Sequence, residues 1–218
     1  MIINFNGIES FKLQAGNFVL AFNPISKKSK FKETRFGADV VCVSTNHPDF
    51  NGVDQTDSKT KKLFVVDGSG EYEIAGVFIK GFSSMSEYGG KEISNTIYTV
   101  VLDNLHIGFL GTLGSSNLEG ELSGNLNNID ILFIPIGGEG VLSADEAYKL
   151  SVKIGAKIVI PMCYGSSDPK LPVGQWEKDA LKKFLKASGN ENLKAIEKLT
   201  IKKNDLVAKD GEVVVLKS

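Results

Sequence analysis

Histidine and cysteine are both scarce: His47 and His106, Cys42 and Cys163 are the whole supply in 218 residues. Two histidines cannot build a metal centre made mainly of imidazoles. Two cysteines, each at the end of or inside an apolar run, offer no disulfide framework and fit a reducing compartment. Net charge is also missing, since 25 basic and 26 acidic side chains leave -1. No overall basic field is therefore available for nucleic acid or an anionic membrane. No apolar stretch is long enough to cross a bilayer, and Met1 to Asn6 lack a basic region followed by a long apolar run, so a cytoplasmic location is expected. The partner class left open is a small molecule or a protein.

What is present is a well-supplied core, with 42% hydrophobic and 23% charged residues, enough for one domain spanning residues 1–218. Short strands are predicted over Ile2–Phe5, Ser10–Leu13 and Asn17–Phe22, the latter two joined as a hairpin at Ala15-Gly16. Lys27, Lys28, Lys30 and Lys32 follow Pro24 in a polar loop that reads as solvated surface. Further strands are predicted at Asp39–Val43, Leu63–Val66 and Tyr72–Ile79, the last interrupted at Ala75-Gly76. Gly81–Ser94 lacks periodicity and reads as a long loop. Thr96–Leu102, Leu105–Leu110 and Ile129–Pro135 are again strands, and the last, apolar throughout, is expected to be covered on both faces.

Ser143-Ala144-Asp145-Glu146 forms a capping box that starts a helix ending near Gly155. A strand at Ala156–Pro161, a loop at Met162–Pro172 and a helix at Gly174–Ala187 follow, with Trp176, Ala180, Leu181, Phe184 and Leu185 on its apolar face. The tail alternates over Lys198–Lys202, Leu206–Ala208 and Val213–Leu216, with Asp210-Gly211 as a hairpin signal.

The chemistry is expected in loops that follow buried strands. Ser44-Thr45-Asn46-His47-Pro48-Asp49-Phe50 places an imidazole and a carboxylate two positions apart. Taken alone, that pair is also what a surface turn with a capping carboxylate looks like. Gly111-Thr112-Leu113-Gly114 and Pro161-Met162-Cys163-Tyr164 are further strand-end loops, while His106 reads as a structural residue on a strand face.

Together these loops resemble the metallo-β-lactamase fold superfamily, in its zinc-dependent hydrolase and L-ascorbate-6-phosphate lactonase-like subgroup. The match extends through Asn6–Phe11, Phe22-Asn23-Pro24, Gly70–Ile74, Asn95–Tyr98 and Ile134–Gly138. The resemblance implies an α+β fold, a four-layer αββα sandwich, with Thr45, His47, Asp49, Phe50, Thr112 and Cys163 converging at one edge. It also implies where metal ligands should stand, and most are replaced. The two outer histidines of the His-x-His-x-Asp-His signature fall on Thr45 and Phe50, the bridging aspartate on Thr112, the last histidine on Cys163 and the opening histidine on Ile8. A further histidine has no counterpart among Ser83, Ser84 and Ser86. His47, Asp49 and Cys163 remain as metal-ligand candidates, with Asp49 also the catalytic candidate, and this set would hold one zinc or none.

Three readings follow. In the first, the binuclear site is lost and the chain is a non-catalytic binding or scaffold protein. The second is a single-metal hydrolase of an ester, lactone or phosphoester on His47, Asp49 and Cys163. The third uses Cys163 as nucleophile and His47 as its base. Phe50 is expected to be buried where a metal and its water would otherwise sit.

Overall fold

The computed structural model describes residues 1–57, 62–118, 120–165 and 176–218, apart from the side chain at position 121. Thirteen strands among the described residues form two sheets. The first consists of β1 (Ile2–Phe5), β2 (Phe11–Ala15), β3 (Phe18–Phe22), β4 (Val40–Cys42), β5 (Phe64–Val66) and β12 (Leu199–Thr200), ordered β12-β1-β2-β3-β4-β5. The second is built from β6 (Gly70–Ile74), β7 (Val77–Ser86), β8 (Ile93–Leu102), β9 (Leu105–Phe109), β10 (Ile131–Pro135), β11 (Ile158–Met162) and β13 (Glu212–Val213). Its order is β13-β11-β10-β9-β8-β7-β6.

Alternation along the central strands decides what lies between the sheets. Ile131 and Phe133 of β10 join the inter-sheet core, whereas Leu132 and Ile134 face the helical layer, in which the short α1 (Gly120–Asn125) is followed by α2 (Ala144–Ile154) and α3 (Ala180–Ala187). Phe11 and Phe22 from the first sheet meet Phe109 and Phe133 from the second. Phe22 stacks on Phe109 at 4.3 Å between centroids, and Phe11 lies edge-on to Phe133 at 4.6 Å. Each such pair contributes about 1 kcal/mol beyond its buried area. The predicted capping box starts α2, with Ser143 N donating to Glu146 Oε2 at 3.0 Å and Glu146 N to Ser143 Oγ at 3.4 Å. The outer face of the first sheet is covered differently. Ala21, Ala38, Val41 and Val43 pack under Phe36, Val53 and Leu63, where the only helical turn among the described residues is the 3-10 turn Val53–Gln55.

Several predicted elements change. Gly81–Ser94 is not a loop: β7 runs to Ser86 and pairs with β8 from Phe82↔Ile97 to Ser86↔Ile93, leaving only 87–92 as the tip. Serines occupy both faces there, so apolar alternation vanishes although the ladder is complete. Leu206–Ala208 is not a strand, since the chain makes a 3-10 turn at Lys203–Leu206. Asp210-Gly211 makes no hairpin, because β13 pairs in parallel with β11. The second helix begins at Ala180, and Trp176 lies outside it, freed for another contact. The predicted start at Gly174 and most of the loop Met162–Pro172 lie outside the described residues. Among the described residues, no helix is long and apolar enough to cross a membrane.

Candidate functional site

The site is assembled where β4, β9 and β11 end, joined by the β1–β2 turn and the tip of the β7–β8 hairpin. The loop after β4 is seated on the one after β3: Ser26 N donates to Pro48 O at 3.0 Å and Gly52 N to Pro24 O at 2.7 Å. Glycine is required at position 52, because a Cβ there would stand 2.4 Å from the Ile25 carbonyl carbon. The loop is thereby fixed, and His47 and Asp49 with it.

Two of the replaced ligand positions are bonded to each other. Thr45 Oγ1 and Thr112 Oγ1 are 2.8 Å apart, and both face Asn95 Oδ1, at 3.2 and 3.3 Å. The Asn95 oxygen also accepts the Thr112 amide at 3.0 Å, and its nitrogen donates to Ser84 Oγ at 2.8 Å and Leu110 O at 3.0 Å. Gly111 allows this closeness, since at φ +57 a Cβ would fall 2.3 Å from Asn95 Oδ1. On the other side, Asn23 Nδ2 donates to Glu9 Oε2 and Ser44 Oγ, both at 2.7 Å, while its oxygen accepts Ser44 N at 2.8 Å. Ser44 Oγ reaches Thr45 Oγ1 at 3.5 Å, so one buried chain of polar groups runs from Glu9 to Asn95.

Asp49 faces the opposite side of the site and is heavily bonded. Tyr88 Oη donates to Oδ2 at 2.7 Å and Ser29 Oγ to Oδ1 at 2.5 Å, while His47 Nδ1 lies 3.4 Å from Oδ2. Burial pushes this carboxyl up, but the hydrogen bonds of His47, Ser29 and Tyr88 outweigh it and hold Asp49 below the usual aspartate value. Phe50 is 0% exposed, as expected, and packs edge-on to Tyr88 at 4.8 Å. Tyr88 also meets His47 at 5.2 Å and Trp176 at 5.7 Å, and Trp176 continues to Phe31 at 6.5 Å. These rings form a plug on the mouth side of Asp49.

Cys163, at φ +56 and with its amide on Ile8 O at 2.7 Å, is fully buried beside the Glu9 carboxyl. Burial first, then the neighbouring Glu9 and Asp49 carboxyls, push its thiol well above the ordinary range. Burial likewise pushes Glu9 up to about 8, against the smaller opposing pull of Cys163 and Asn23. Its Oε1 has no hydrogen-bond partner among the described residues.

His47, Asp49 and Cys163 thus gather in one region, but not around one point. Among the described residues, no group of three His, Cys, Asp or Glu side chains is arranged to hold a metal ion. Tyr88 donates into the Asp49 oxygen that also faces His47, and Cys163 is turned to the Glu9 carboxyl. The donor set therefore does not fit a zinc centre, which needs about four ligands, several of them deprotonated. No hydrogen bond joins Cys163 to His47, so the thiol-imidazole pair of the third reading is not formed. His106 is exposed on β9. Sequence reasoning missed Tyr88, Glu9, Asn95 and Ser29, and it gave Trp176 to a helix face. Only Asn95 carried a usable signal, an amide beside a buried apolar strand.

The two packed sheets with loops gathered at their strand ends define the class of fold, and comparison with known proteins agrees. A family model described as the beta-lactamase superfamily domain matches residues 2–163, and the chain belongs to that superfamily. It is similar to the UPF0173 metal-dependent hydrolase of Bacillus cereus (strain ZK / E33L), 23% identical over 201 residues, covering 76% of this chain and 86% of that one. Among solved structures, it resembles a protein of Thermotoga maritima assigned as a Zn-dependent hydrolase of the metallo-beta-lactamase superfamily. The TM-score is 0.76 and identity 23%, with 99% of this chain and 97% of that one covered. Igni18, a metallo hydrolase from Ignicoccus hospitalis, superposes with a TM-score of 0.61 at 17% identity over 92% of this chain and 99% of its own. At these identities the structural likeness shows the fold alone.

Proposed function

We propose that this chain is a non-catalytic binding or scaffold protein on a metallo-β-lactamase fold. The observation that carries the reading is the hydrogen bond from Tyr88 to Asp49 at 2.7 Å, in a site where Thr45 and Thr112, which stand where the resemblance expects ligands, bond to each other. A water made nucleophilic by a metal needs an open coordination position and a carboxylate free to ligate. Tyr88 and Phe50 pack together beside Asp49, and each of its carboxylate oxygens already accepts a hydroxyl donor.

The competing reading, a one-metal hydrolase of an ester, lactone or phosphoester on His47, Asp49 and Cys163, draws support from relatives described as metal-dependent hydrolases. The two are separated by zinc analysis of protein purified without chelator, together with hydrolysis of generic lactone and phosphodiester substrates. Wild type is compared with Cys163→Ser and with a form carrying Thr45→His, Phe50→His, Thr112→Asp and Cys163→His. The expected result is well under one zinc per chain and no hydrolysis in the wild type. Stoichiometric zinc and turnover, both abolished by Cys163→Ser, would overturn the proposal.

A further inference from the structure

The lysine loop that the sequence offered as plain surface lies against the plugged site. Ser29, in its middle, donates to Asp49, and Phe31, two residues on, is buried against Trp176. Its backbone is pinned at successive points. Lys28 N donates to Ser26 Oγ at 3.2 Å, Ser29 N to Ser26 O at 3.0 Å and Phe31 N to Ser29 Oγ at 3.0 Å, while Ile25 N bonds Thr34 Oγ1 at 3.1 Å. Between these anchors Lys27, Lys28, Lys30 and Lys32 are exposed, and none of them makes an ion pair among the described residues. Lys12 adds a cation nearby, over the Phe36 ring at 5.7 Å.

Here the backbone is ordered, and residues 27–35 hold five cations against the single carboxylate of Glu33 in a chain of net charge -1. Glu33 is already engaged by Arg35 at 3.3 Å.

We propose that this loop is a docking strip for an acidic segment of a partner protein. The type of cation favours that occupant over a phosphate group. Arg35 is the only arginine in the chain and is tied to Glu33, so the two-pronged guanidinium grip that suits phosphate is not available. Four ammonium heads alternate with the inward Ser29 and Phe31 and fan out along six residues, a span of at most about 20 Å. That is the layout of distributed complementarity to several carboxylates, where steering and register come from charge. The inference rests on the binding-protein reading and supplies its partner class.

The test is fluorescence anisotropy with a fluorescein-labelled deca-glutamate peptide, at low and at physiological ionic strength. Wild type is compared with Lys27→Glu/Lys28→Glu/Lys30→Glu/Lys32→Glu, and with a control that reverses four exposed lysines elsewhere, Lys178→Glu/Lys182→Glu/Lys186→Glu/Lys194→Glu. The expected result is salt-sensitive binding, weakened about tenfold or more in the loop variant and less than about twofold in the control. Circular dichroism melts check that each variant folds. Absence of binding, equal loss in both variants, or tighter binding of inorganic phosphate or an oligothymidylate than of the peptide overturns the proposal. Zinc content and hydrolysis are measured on the same samples. A protein that fails to bind the peptide is thereby known to be either a metal hydrolase or a metal-free protein with another partner.

Discussion

The hydroxyls of Thr45 and Thr112, 67 residues apart in sequence, share a hydrogen bond of 2.8 Å that joins the loops after β4 and β9. Each is buried, and their bond to each other is shorter than the bonds that either makes to Asn95 Oδ1, at 3.2 and 3.3 Å. Thr45→Val or Thr112→Val alone should destabilise by about 1–3 kcal/mol, the cost of leaving a buried hydroxyl unpaired. The double valine form should cost less than the sum of the two. Urea unfolding of the four forms measures the coupling, and strict additivity would show that the two hydroxyls do not interact.

Tyr88→Phe removes one donor from the buried carboxylate of Asp49. A carboxyl held below its unfolded value stabilises the fold above the unfolded pKa of 3.8 and loses that contribution as pH falls through its lower folded pKa. With one hydrogen bond gone, the folded pKa rises towards 3.8, and the variant should lose stability near neutral pH by about 1–3 kcal/mol. Its stability should also depend less steeply on acid. Unfolding midpoints between pH 2 and 7 check both effects.

Glu9 works in the opposite sense. Its folded pKa of about 8 lies above the ordinary 4.5, so its contribution is most favourable below 4.5 and is lost as pH climbs to about 8. Wild-type stability should therefore decline across that window. Glu9→Gln, which keeps an acceptor for Asn23 and cannot ionise, should flatten the decline and be the more stable form at pH 9. Parallel curves for the two proteins would mean that Glu9 ionises in the fold without penalty.

Phe50→Ala empties a fully buried site bordered by Tyr88 and His47, and a loss of about 3–5 kcal/mol is expected. Thermal denaturation measures it. A midpoint that hardly moves would place Phe50 outside the core.

The two-sheet architecture was legible because apolar periodicity survives in strands such as Ile131–Pro135, and because Ser143 and Glu146 cap a helix by a local rule. The loops that carry the site were legible too, since each follows a buried strand. The plug was not. Tyr88 sits between serines and glycines on a strand pair whose faces are both polar near the tip, and nothing local marks a ring that folds back 39 residues to meet Asp49. Glu9 was hidden for a similar reason: a carboxylate in a turn reads as exposed, and only the packing of Asn23 and Cys163 around it makes it a buried acid.

The reciprocal bonding of Thr45, Thr112 and Asn95 also bears on how such a site can change over generations. Returning a carboxylate at position 112 alone would set a negative charge against the Asn95 oxygen with no cation to compensate it, and an imidazole at position 45 alone would meet a space already closed. Each such single substitution is thus expected to destabilise the fold, even if the full set is tolerated. The network therefore resists change one residue at a time, because each of its members is held by the others.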